Sequence, residues 1–65
     1  MNLTINGAAR AIMATDLAAL LAELQIDPAR VAIEHNGRIL CAEQYSATGL
    51  AEGDRLEIVR FVGGG

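Results

Sequence analysis

The sequence predicts an α+β domain in which a mixed sheet of four to five strands packs on one helix. Three observations predict it. Met1-Asn2-Leu3-Thr4-Ile5-Asn6 alternates apolar and polar residues with period two, the mark of a half-buried strand. Leu17, Leu20, Leu21 and Leu24 recur at i, i+3, i+4 and i+7, the stripe of an amphipathic helix. Leu56-Glu57-Ile58-Val59-Arg60-Phe61-Val62 is the longest β-rich run, and its near-continuous apolarity predicts a central strand with apolar cover on both faces.

In the first strand, Met1, Leu3 and Ile5 are expected to face inward. Asn6-Gly7 is a strong hairpin signal, because both residues tolerate the positive φ that a tight turn requires. A second strand is expected over about Ala8 to Met13, with Ile12 and Met13 as its only large apolar residues. Thr15 or Asp16 can cap the helix, and an Asp charge suits the helix dipole. Ala18, Ala19 and Ala22 favour the helix between its leucines. Pro28 predicts an end at or before Asp27.

Val31-Ala32-Ile33-Glu34-His35 reads as a strand, Asn36-Gly37 as a second hairpin turn and Arg38-Ile39-Leu40 as the return strand. Cys41 to Ala51 lacks a clean period and is expected to be irregular, with a short helical turn near Glu43–Tyr45. Glu52-Gly53-Asp54 is a turn into the last strand. A helix stripe and a sheet face must cover each other. The first and last strands can pair in parallel in mid-sheet, since the helix and later strands separate them along the chain. That arrangement is a β-grasp.

Composition narrows the function. Sixty-five residues make one small domain. Folding at this size buries only about 60% of the unfolded chain's surface. The chain is 52% hydrophobic with one Phe, one Tyr and no Trp, so aliphatic side chains must build the core. Net charge is −3, and the five basic residues, all arginine, are scattered, which argues against a nucleic-acid surface. The single cysteine, Cys41, excludes an intramolecular disulfide and a multi-cysteine zinc site. It reads as a buried small hydrophobe rather than a nucleophile. His35 is the only histidine, without a second ligand at metal spacing, so no metal site is expected. No signal-length or membrane-length apolar run is present, and a soluble cytoplasmic protein is expected. Glu52 and Asp54 have no Ser or His arranged for catalysis, and a small grasp fold offers little volume for a substrate pocket.

After the last strand come Gly63, Gly64 and Gly65. The domain is therefore taken as residues 1–62 and the tail as 63–65. Glycine loses the most backbone entropy on ordering, so a flexible tail is expected. Fully extended, three residues reach roughly 10 Å, enough to thread a narrow channel in another protein. One reading is a flexible linker stub; the other is that Gly65 carries the reactive group. If Leu56 and Ile58 face the helix, alternation puts Val59 and Phe61 on the opposite face. That apolar pair beside the tail predicts a partner-docking patch, with Val62 adjoining it and Arg60 placed to steer an acidic groove. The competing reading packs Phe61 under the irregular segment and leaves Arg60 solvated.

The chain resembles the ThiS family, the small sulfur carriers of thiamine thiazole biosynthesis within the ubiquitin-like β-grasp group. The resemblance runs over essentially the whole chain. It is carried by Asn6-Gly7, Thr15-Asp16-Leu17-Ala18-Ala19-Leu20-Leu21, Val31 to Gly37, Glu52 to Val59 and the final Gly64-Gly65. Cys41, where a small non-thiol residue is expected, and the third glycine, Gly63, depart from it slightly. The resemblance implies that Gly65 is adenylated by an E1-like enzyme (ThiF-type) using ATP and Mg, and then converted to a thiocarboxylate. The sulfur comes from a cysteine desulfurase relay and is delivered at a thiazole synthase (ThiG-type), with Gly63 and Gly64 threading into the partners' active sites. The chain would then be a cosubstrate rather than an enzyme, with no bound cofactor. A MoaD-like carrier for molybdopterin synthesis shares this fold and tail. A ubiquitin-like modifier or interaction module is the alternative of a different class.

Overall fold

The computed structural model describes residues 1–61. Five strands form one sheet: β1 (Asn2–Ile5), β2 (Ala8–Ala11), β3 (Val31–His35), β4 (Arg38–Leu40) and β5 (Arg55–Arg60), in the order β2-β1-β5-β3-β4. β5 is central, parallel to β1 and antiparallel to β3, and the two hairpins β1–β2 and β3–β4 flank it. One helix, α1 (Leu17–Glu23), lies against one sheet face. This is the β-grasp that the pattern predicts.

The hairpin turns form as their residues require. Asn6 and Gly7 take φ of 51° and 82°, and Asn36 and Gly37 take 49° and 85°. Glycine meets no steric cost there and Asn a small one. Asp16 caps α1, its carboxylate accepting from the Ala19 N–H at 2.8 Å.

The helix ends before Asp27, within the limit that Pro28 sets. It stops at Glu23 because Gln25 turns left-handed, with φ 58°. The Gln25 N–H then donates to the Ala22 carbonyl at 3.1 Å and the Ile26 N–H to the Leu21 carbonyl at 2.8 Å. That is a Schellman closure with glutamine in the position glycine usually takes. Pro28 instead opens a 3₁₀ turn, Pro28–Arg30, capped by Asp27.

Leu3, Ile5, Ile33, Leu56 and Ile58 point from the sheet toward Leu17, Leu20 and Leu21 of the helix, and all are buried. The irregular segment forms a longer 3₁₀ turn than expected, Ala42–Ala47, which seats Tyr45 in the core. It is tied to the start of α1: the Leu17 N–H donates to the Thr48 carbonyl and the Leu50 N–H to the Thr15 carbonyl. This cover over α1 explains why a 65-residue chain can close a core with so few aromatic side chains.

Three expectations are corrected at the ends of elements. Met1 does not face inward: it precedes the paired part of β1 and stays exposed, while its amino group donates to the Ile12 carbonyl at 2.8 Å. β2 ends at Ala11, so Ile12 turns into the core and Met13 is left 89% exposed. There the Glu23 carboxylate accepts from the Met13 and Ala14 N–H groups and ties the loop to the end of α1. β5 ends at Arg60, and its second face carries no apolar cover among the described residues. The run of apolar residues in β5 marks an open face rather than a second layer. Val62 and the tail 63–65, including the proposed domain boundary, lie outside the described residues.

Candidate functional site

The site predicted from the sequence is the exit of β5 and the sheet face beside it. Hydrogen bonding holds β5 on both sides. The Phe61 N–H donates to the Arg30 carbonyl at 2.9 Å, so β3-side pairing extends one residue past the strand. On the other side, Thr4 and Asn6 N–H groups donate to the Asp54 and Leu56 carbonyls, both at 2.9 Å. β1 then turns away at Asn6-Gly7, and the Asn6 side chain takes over. Its Nδ2 donates to the Ile58 carbonyl at 3.1 Å and its Oδ1 accepts from the Ile58 N–H at 2.7 Å. Asn36, in the other hairpin turn, makes the matching contact at the start of β5. Its Oδ1 accepts from the Arg55 N–H at 2.8 Å and its own N–H donates to the Arg55 carbonyl. Both turns therefore stitch the strand that leads to the tail.

Val59 lies on the face away from α1 and is 59% exposed. Phe61, one residue past β5, is 63% exposed and borders the hollow that Gln25, Ile26 and Asp27 help to close. Phe61 is not packed under the 41–51 segment. Arg60 alternates to the opposite side of β5 from Val59 and is also exposed. At that end Arg60 and Arg30 border a shallow hollow closed by Gln25, Ile26 and Asp27, in which Arg30 lies 3.4 Å from the Asp27 carboxylate. Ile39, which the sequence reading did not single out, is the most exposed large apolar residue of the sheet at 77%. The signal was available: Leu40 completes the inward alternation with Ile33, so Ile39 must point outward. Val62, Gly63, Gly64 and Gly65 lie outside the described residues.

Among the described residues no three His, Cys, Asp or Glu side chains gather as a metal ion would need. Cys41 is exposed rather than buried, because it follows the inward-facing Leu40 and stands at the start of the 3₁₀ turn Ala42–Ala47. His35 is half of a polar lock. Its Nε2 lies 2.8 Å from Asp54 Oδ2, with both side chains mostly buried. Asp54 also accepts from Asn36 Nδ2 at 3.1 Å and from the Ala51 N–H at 2.9 Å. Burial pushes the Asp54 carboxyl up, but the hydrogen bonds from His35, Ala51 and Asn36 together hold it below its ordinary value. The lock joins the β3–β4 turn to the turn that starts β5. It extends the simple turn role expected of Asp54. Tyr45 is shifted up, chiefly by burial and then by the negative charge of Cys41 and Glu43 when ionised.

These features describe a hydrogen-bonded central strand that leads to an exposed exit. A sequence model of the ThiS family matches residues 3–65. The chain belongs to the ThiS family. It is 44% identical over 46 residues to the sulfur carrier protein ThiS of Bacillus subtilis, covering 71% of this chain and 70% of that protein. It is also 44% identical over 66 residues to a thiazole synthase of Paramagnetospirillum magneticum, which covers all of this chain but only 20% of that protein. The chain thus spans about one fifth of that synthase. Among solved structures, the thiamine biosynthesis protein ThiS of Geobacter metallireducens superposes with a TM-score of 0.85 at 35% identity, with each chain covered completely. The ubiquitin-like β-grasp of the ThiS family is therefore the fold of this chain.

Proposed function

We infer that this chain is a sulfur carrier for thiamine thiazole synthesis, in which the Gly65 carboxylate is the group that carries sulfur. The observation that carries this reading is the match to the ThiS family running through residue 65, over a strand that β3 pairs up to its exit and that β1 and the Asn6 side chain hold as far as Ile58. A carboxylate is a poor acyl donor and needs activation. In the proposed cycle an E1-like, ThiF-type adenylyltransferase binds ATP with Mg. The Gly65 carboxylate attacks the α-phosphorus, and pyrophosphate leaves. The outer sulfur of a cysteine persulfide on the desulfurase relay then adds to the acyl carbon and AMP leaves, giving an acyl disulfide. A second thiol attacks the relay cysteine's sulfur, the S–S bond breaks, and the thiocarboxylate leaves while the two thiols end as a disulfide. A ThiG-type thiazole synthase consumes the sulfur, and the carboxylate form returns to the cycle.

The chain acts as a cosubstrate in this scheme, in the cytoplasm. The domain is the handle that partners recognise, and Gly63 and Gly64 let a partner's backbone approach closely without meeting a Cβ. Val59 and Phe61, with Val62 beside them, form the docking patch next to the tail; Arg60 flanks the exit from the other side. The thiazole synthase and ThiS names of the relatives support thiazole over molybdopterin as the destination. Among the described residues no helix is long and apolar enough to cross a membrane.

The experiment is an intact mass before and after incubation with ATP, a sulfur source and the adenylating enzyme of the same cell. One oxygen replaced by sulfur, and no such change when Gly65 is deleted, is the expected result. An unchanged mass with a demonstrably active enzyme, or a stable isopeptide to a lysine of another protein, would overturn the carrier reading in favour of a modifier.

A further inference from the structure

The chain contains no lysine: its five basic residues are Arg10, Arg30, Arg38, Arg55 and Arg60. A guanidinium keeps its proton and offers no lone pair to an acyl carbon, whereas a lysine amine is readily acylated. Two of the arginines stand where this difference matters. The Arg30 carbonyl accepts from the Phe61 N–H at 2.9 Å, and Arg60 pairs with Val31, the next residue along. Both side chains border the hollow at the exit of β5, and that of Arg30 is 82% exposed. Val62 to Gly65 measure at most about 14 Å fully extended, a length that brings the Gly65 acyl carbon within reach of either side chain.

The one amine outside the side chains is out of that reach. β1 runs parallel to β5 with Thr4 opposite Arg55, which places Met1 beyond the start of β5. The exit lies at the other end, past six residues of strand or about 20 Å. The Met1 amino group is also tied to the Ile12 carbonyl at 2.8 Å. Cys41 is exposed and follows Leu40, which is level with Ile58 across β3, so it stands toward the exit end of the sheet. An acyl group passed to its sulfur would be a thioester, which an added thiol takes back; an amide is not returned in this way.

We propose that Arg30 and Arg60 put positive charge beside the activated glycine end in a form that it cannot acylate, so that the carrier does not consume itself. The inference rests on the carrier reading above, because only an activated Gly65 is at risk. A lysine at either position would meet the acyl carbon at high effective concentration. Its amine would add to the carbonyl, AMP or a thiol would leave, and the amine's proton would pass to solvent. The product is a lactam, one water lighter than the carboxylate form, with no carboxylate left for sulfur to enter.

The test uses the full chain carrying a mercaptoethanesulfonate thioester on Gly65, held at mildly alkaline pH with an excess of the same thiol and followed by intact mass. The excess thiol reverses any transfer to Cys41. Arg30→Lys should form the lactam about tenfold or more faster than wild type, and hydroxylamine should not open it. Lysine keeps the charge opposite Asp27, so the Tm of this variant should match wild type. Arg10→Lys should cyclise no faster than wild type, because Arg10 pairs with Leu3 and lies beyond the start of β5. Equal rates in Arg30→Lys and Arg10→Lys would overturn the inference. So would a lactam or an amide-linked dimer formed by the wild type as fast as by Arg30→Lys. The carrier reading fails separately, by the absence of oxygen-for-sulfur exchange in the wild-type chain when a demonstrably active adenylating enzyme, ATP and a sulfur source are supplied.

Discussion

The side-chain amide of Asn6 occupies both backbone hydrogen-bonding groups of Ile58, donating to its carbonyl at 3.1 Å and accepting from its N–H at 2.7 Å. β1 pairs with β5 only at Thr4–Arg55 and Ile5–Leu56 before it turns away. The Asn6 amide therefore acts as one more peptide unit of the parallel ladder. It satisfies groups that would otherwise be left without a strand partner in mid-sheet.

Asn6→Gly should measure this contact. Glycine keeps the positive φ of 51° without strain, so the turn survives and only the two bonds are lost. The expected cost is about 1–3 kcal/mol, read from urea unfolding with an unchanged m-value. In a domain this small that lowers Tm by roughly 4–8 °C per kcal/mol.

Gln25→Gly should stabilise the domain. Gln25 holds φ 58° at the Schellman closure, where a side chain with a Cβ is strained. The relief exceeds the extra backbone entropy that glycine loses, leaving a gain of about 0.5–1 kcal/mol. A rise in Tm with unchanged partner binding is the expected outcome; a fall would mean that the glutamine side chain contributes packing of its own.

The His35–Asp54 lock should show in the acid limb of the stability curve. The folded Asp54 carboxyl lies below its ordinary value. Its contribution is then fully present above the unfolded value near 4, and is lost as pH falls through the lower folded value. Asp54→Asn should cost about 1–3 kcal/mol at neutral pH and flatten that part of the acid limb. Chemical denaturation across the acid range checks both, and an acid limb identical to wild type would refute the assignment.

Phe61→Asp should separate docking from folding. Phe61 is 63% exposed, so the substitution should change stability by no more than about 0.5 kcal/mol. Removing an apolar anchor beside the tail should lower kcat/KM for adenylation about tenfold or more. Wild-type rates of adenylation and thiazole formation with the fold intact would remove Phe61 from the docking patch.

Much of this was legible along the chain. β3 from Val31 to His35 and the Asn36-Gly37 turn sit where alternation and turn chemistry place them. The leucine stripe of α1 points into the core at Leu17, Leu20 and Leu21. The end of α1 was less legible, because Pro28 is the conspicuous breaker while Gln25, an ordinary helix former, makes the actual turn. For the site, alternation places Val59 on the outer face, but the apolar run of β5 also suggested a covering layer that is absent among the described residues.

Period-two and leucine-stripe patterns, glycine at forced positive φ and the glycine tail are local properties, so the sequence by itself determined the strands, the helix, the β-grasp class and the family resemblance. Only the tertiary structure decided that Asn6 completes the edge of a strand 52 residues away, that His35 meets Asp54, and that Arg30 stands beside the exit of β5. Each of these joins residues distant in sequence, and strand register sets which side chains meet. A shift of one residue would turn every side chain of a strand to the other face.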